Sequence, residues 1–112
     1  MIYYYKNSYV SDRISLDVRS PAFKFGVGFF ETVFYNGKII CHLDAHVSRI
    51  LSSLKTYQIA YETIDFGQVI QEVLKQNELS DIYARINIYY PIEDESSPAS
   101  PLIAAHPYSP EP

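Results

Sequence analysis

The run FGVGFFETVFYNGKIICHLDAHVSRILSSL, residues 25–54, constrains the fold of this chain more than any other stretch. Asn36-Gly37 lies between two β-rich runs, Phe29 to Tyr35 and Lys38 to Leu43, and Asn-Gly is the pair that best tolerates the positive φ angles of a two-residue type I′ turn. The pattern predicts a hairpin that hands its chain to a helix opened by Asp44 and ending near Tyr57. Val47, Ile50, Leu51 and Leu54 fall at i, i+3, i+4 and i+7 of that helix, and His46, Arg49 and Ser53 line a neighbouring polar stripe. One face packs; the other is free to meet something charged.

The flanking sequence supplies the remaining layers. Ile2 to Lys6 and Ser8 to Val10 are β-rich around Asn7 and predict a short hairpin at one edge of a sheet. Residues 11–20 read as a loop, and Pro21 starts a single turn through Phe25 that delivers the chain to Gly26. A second amphipathic helix, capped by Thr63 or Asp65, carries Phe66, Val69, Ile70, Val73 and Leu74 at helical spacing to about Gln76. Ile82 to Tyr90 alternates, with Ile82, Ala84, Ile86 and Ile88 on one face and Tyr83, Arg85, Asn87 and Tyr89 on the other, which is a strand. Six of the seven prolines lie from Pro91 onward, so regular structure there reduces to a short strand, Leu102 to Ala105. These elements predict an α+β, two-layer sandwich: an antiparallel sheet of about five or six strands with two helices packed on one face.

Composition narrows the function. A single domain of 112 residues buries about two-thirds of its unfolded surface, and 47% hydrophobic residues with eleven Tyr and six Phe make the chain globular. A net charge of −4 with nine scattered Lys and Arg offers no basic stripe for a phosphate backbone, which argues against nucleic acid as a partner. The one cysteine, Cys41, excludes an intrachain disulfide and reads as a small buried hydrophobe. The N-terminus has no signal-peptide pattern and no apolar run approaches the ~20 residues of a membrane span, so the reading is a soluble, cytoplasmic protein.

The order G-x-G-[hydrophobic]-F-E-T, then N-G, then L-D-x-H-[hydrophobic]-x-R-[hydrophobic] resembles the N-terminal domain of the class IV aminotransferases. These are the fold-type IV pyridoxal phosphate enzymes, which include branched-chain and D-amino acid aminotransferases and aminodeoxychorismate lyase. The matching residues are Gly26, Gly28, Phe30, Glu31, Thr32, Asn36, Gly37, Leu43, Asp44, His46 and Arg49, and weaker similarity extends from Met1 to about His106. The resemblance implies a domain over residues 1–106, a Pro-rich linker begun by 107–112, and a missing second domain that carries the Schiff-base lysine, since Lys6, Lys24, Lys38, Lys55 and Lys75 occupy no matching position. It implies pyridoxal phosphate as cofactor, an amino acid or aminodeoxychorismate-type substrate, a homodimer, and an isolated chain without activity.

Arg49 stands first among the site residues. A guanidinium can hold a phosphate with two parallel N–H bonds, although spacing alone favours a solvated helix arginine paired with a nearby carboxylate. The resemblance favours the cofactor-phosphate role and makes His46 a positioning residue beside it. No metal-ligand spacing surrounds His46. Glu31 lies in an otherwise apolar strand, where an unpaired carboxylate is costly, so it is either paired or at a mouth and has a structural or supporting role. Phe30, Thr32 and Arg85 are the candidates for the substrate pocket. The family often ends Arg85's strand with T-R-G, whereas this chain has Tyr89-Tyr90-Pro91, which speaks against a D-amino acid aminotransferase. A noncatalytic interaction or dimerisation module is the reading from a different class.

Overall fold

A computed structural model describes residues 1–11, 28–93 and 96–109 of the chain. The predicted loop over 11–20, the turn at Pro21 and Gly26 lie almost wholly outside the described residues. The elements run β1 (Ile2–Tyr5), β2 (Ser8–Ser11), β3 (Gly28–Asn36), α1 (Leu43–Thr56), α2 (Phe66–Gln76), β4 (Tyr83–Pro91) and β5 (Leu102–Pro107). The strands form one antiparallel five-stranded sheet in the order β2-β1-β5-β4-β3. The predicted sandwich and the edge hairpin are therefore present.

Alternation fixes which face of the sheet is covered. Val33, Tyr35, Ala84, Ile86, Ile88, Tyr90, Ile103 and Ala105 are buried in one core with Ile50 and Leu54 of α1 and with Val69, Ile70, Val73 and Leu74 of α2. α1 lies on β3 and α2 across β5 and β1. The other face is left with Phe30, Phe34 and Tyr83 in solvent. Asn77, just past α2, ties the helix layer to the sheet: its amide accepts from the Ile2 N–H at 2.7 Å and donates to the Ile2 and Val73 carbonyls at 2.9 Å.

Four local expectations are corrected. Lys38 to Leu43 forms no second strand: only Ile40 bridges back, to Tyr35, while β3 pairs along all nine residues with β4. Asn36 does not adopt positive φ; Gly37 does, at 93°, and the Asn36 carboxamide oxygen takes the Lys38 and Ile39 amides, so the side chain makes a looser turn than the type I′ hairpin requires. Asp44 is not the residue that opens α1. His42, left-handed at φ 54°, precedes the helix without a side-chain cap, and Asp44 sits in the first turn. Cys41 is half-buried, because the segment that carries it is not a core strand. Asp65 caps α2 as expected, accepting from the Gln68 N–H at 3.1 Å.

Candidate functional site

Glu31 is the residue through which the sheet and α1 meet chemically. It stands opposite Ile88 in the β3–β4 register, on the face that otherwise builds the core, and its side chain is only 12% exposed. α1 crosses above it and lowers His46 and Arg49, three residues apart and hence on one side of the helix, onto the carboxylate. The Arg49 Nε–H reaches both oxygens at 3.1 Å, and Nη2 reaches Oε1 at 2.5 Å. His46 Nδ1 lies 2.6 Å from Oε1. Two acceptors would repel at that distance, so Nδ1 carries its proton and donates to Glu31. The 3.2 Å approach of Arg49 Nη2 to the same nitrogen is then a close contact of two donors.

The electrostatics follow from this packing. Hydrogen bonds from Arg49 hold the Glu31 carboxyl below its ordinary pKa, assisted by His46 and opposed by burial. Glu31 in return raises that of the Arg49 guanidinium. The arginine is still 65% exposed, and among the described residues Nη1 has no partner, so the cluster is a paired carboxylate with part of a cation left facing solvent. The need for a partner at Glu31 was legible in the sequence; that both partners come from the next helix was not.

Phe30, Thr32 and Arg85 are elsewhere. Strand alternation turns Phe30 and Thr32 to the open face, opposite to Glu31, and Phe30 is 57% exposed. Arg85 is exposed on the same open face, in register with Phe34 on one side and His106 on the other. The predicted residues thus form two groups, a charged one under α1 and an aromatic and polar one across the sheet. Tyr89, absent from the sequence-based candidates, belongs to the second: its ring meets Phe30 edge-on, with centroids 6.3 Å apart.

A cavity of about 480 Å³ opens at a different place, beside Lys6, Glu62, Glu93 and Ser100. Its charged groups satisfy one another: Glu93 accepts from Lys6 at 2.7 Å and from the Tyr5 hydroxyl, and Ser100 donates to Glu62 at 3.2 Å. Among the described residues, no three of His, Cys, Asp and Glu gather to hold a metal ion, and no helix is long and apolar enough to cross a membrane.

Residues 28–112 match the family described as amino-transferase class IV. No curated protein sequence matches the chain. Among solved structures it resembles the branched-chain aminotransferase of the archaeon Thermoproteus uzoniensis, solved with norvaline, at 22% identity and a TM-score of 0.82, covering 97% of this chain and 41% of that one. The branched-chain amino acid aminotransferase of Escherichia coli gives 18% identity and a TM-score of 0.84, over 96% and 40% of the two chains. A third branched-chain amino acid aminotransferase, complexed with N-(5′-phosphopyridoxyl)-L-glutamate and originating from T.th., gives 19% and 0.81 over the same shares. At these identities the likeness is one of fold, and the chain spans about two-fifths of the length of each relative.

Proposed function

The chain belongs to the amino-transferase class IV family, and on that premise we propose that it supplies the cofactor-phosphate contact and one wall of the substrate site in a pyridoxal phosphate enzyme that transfers the amino group of an amino acid. The observation that carries the reading is Arg49: an exposed guanidinium held in place by a carboxylate, with N–H bonds to spare. That donor set suits a dianionic phosphate, because a planar fork with two parallel donors matches two phosphate oxygens. Pyridoxal phosphate, when bound, supplies the electron sink for amino-group chemistry.

The chain's own residues bind and orient. Arg49 anchors the phosphate end of the cofactor. Glu31 holds Arg49 and His46 holds Glu31, rather than reacting themselves, since the Nδ1 proton of His46 is committed to Glu31. Phe30 and Thr32, with Arg85 on the neighbouring strand, form the wall offered to the substrate. The relatives solved with norvaline and with a phosphopyridoxyl-glutamate support an amino acid as substrate. A second, lysine-bearing domain completes the site, and the assembly is a homodimer.

Treating the 112-residue chain with pyridoxal phosphate and borohydride tests the division of labour. The expected result is no stoichiometric adduct at a single lysine; such an adduct, accompanied by turnover of an amino acid, would contradict it.

A further inference from the structure

A guanidinium has two edges that can present parallel N–H bonds: a lateral one made by Nε and one terminal nitrogen, and an end-on one made by the two terminal nitrogens. In this chain Glu31 occupies the lateral edge, through Nε at 3.1 Å and Nη2 at 2.5 Å. Among the described residues, what remains is the end-on edge, the outer hydrogen of Nη2 and those of Nη1, on a side chain that is 65% exposed.

Glu31 is itself fixed. It rises from the centre of β3, in register with Ile88, and His46 donates to it from the turn of α1 before Arg49. The anchor therefore belongs to the sheet and the arginine to the helix, and the pair sets the direction of the free edge whatever rotamers an unpaired arginine would sample.

We propose that Glu31 is a positioning residue for the phosphate contact: it takes the lateral edge of Arg49 and leaves the end-on edge as the one that grips a phosphate oxyanion. The inference rests on the reading of Arg49 as a phosphate-binding residue. It adds that Glu31 helps an anion bind although both are negative. Its charge is shared by two donors, Arg49 and His46, while the restriction of a long side chain that would otherwise have to be ordered on binding is already in place. It also predicts that a lysine cannot replace Arg49, because an ammonium has no second edge and Glu31 would capture it.

Inorganic phosphate, titrated into isotopically labelled 112-residue chain and followed through the backbone amides and the arginine Nε–H signals, tests this. The Arg49 Nε–H signal should be displaced by its bond to Glu31 before any phosphate is added and should stay in place as phosphate saturates the site. Arg49→Ala should weaken binding at least about 10-fold. Glu31→Gln, which keeps the shape, should weaken it about threefold and release the Nε–H signal, and Glu31→Ala should weaken it further. Arg49→Lys should bind no better than Arg49→Ala, and joining Glu31→Ala to Arg49→Lys should restore part of the affinity.

If Arg49→Ala binds phosphate as well as the parent chain, the phosphate reading itself fails. If Arg49→Ala loses binding while Glu31→Gln leaves it unchanged or tightens it, the phosphate reading stands and the positioning role is overturned. An Nε–H signal that moves with phosphate instead of staying fixed also overturns it, since the lateral edge would then be the gripping one.

Discussion

The ring of Tyr89 lies so close over Gly28 that a methyl group at position 28 would stand 2.4 Å from its Cε1. Glycine there is a steric requirement of the neighbouring strand: it lets the ring cross to Phe30 on the open face.

Gly28→Ala should therefore dislodge Tyr89 rather than break the sheet. The atoms in the way are the far end of a half-buried side chain that can swing outward, so the expected cost is about 1 kcal/mol, at the low end for overpacking. Near-ultraviolet circular dichroism should report the loss of the Tyr89–Phe30 contact, while the far-ultraviolet spectrum and the β3–β4 amide protection stay as they were.

The two helix starts give a second contrast. Asp65 accepts a backbone hydrogen bond from Gln68 and Asp44 accepts none as a cap. Asp65→Ala should cost about 1 kcal/mol, lowering Tm by about 4 °C, whereas Asp44→Ala should lose only the interaction of its charge with the first turn, about 0.3 kcal/mol. Thermal unfolding of the two variants side by side checks the order; equal losses would contradict it.

Much of this was legible in the sequence where one periodicity dominated. The five apolar residues of α2 and the alternation along β4 each have a single solution, and both are realised except at Ile82, which lies just before β4 and is exposed. The region around Asn36 was misread because Asn-Gly served two possible turns, and the choice was made by distant pairing: β4 takes the whole of β3, and the chain after Gly37 is drawn off towards α1. The opening of α1 was hidden for a different reason, since the left-handed turn at His42 is set by that path and not by a capping side chain. In the site, the two faces of β3 were implied by the adjacency of Phe30, Glu31 and Thr32. The pairing of Glu31 with residues fifteen and eighteen positions on depended on where α1 crosses the strand, which no local pattern encodes.

Glu31 should also leave a mark on acid stability. Its pKa is lower in the folded chain than the ordinary glutamate value of about 4.3. The folded state then holds the proton less readily, so the pair stabilises the fold above that value and the contribution fades as the pH falls through the depressed folded pKa. Glu31→Gln should lower Tm at pH 7, and the gap from the parent chain should narrow progressively below about pH 4. A gap that is constant from pH 7 to pH 3 would mean that the carboxylate charge has no part in it.

The most direct measurement is the affinity of this chain, joined to the lysine-bearing domain proposed for it above, for pyridoxal phosphate and for pyridoxal lacking the phosphate, before and after Arg49→Ala. A charge-assisted hydrogen bond contributes roughly 1.5–3 kcal/mol, so the substitution should weaken pyridoxal phosphate binding by about 10- to 150-fold and leave pyridoxal binding unaffected. An unchanged dissociation constant for pyridoxal phosphate, or an equal loss for both compounds, would contradict the assignment of Arg49 to the cofactor phosphate.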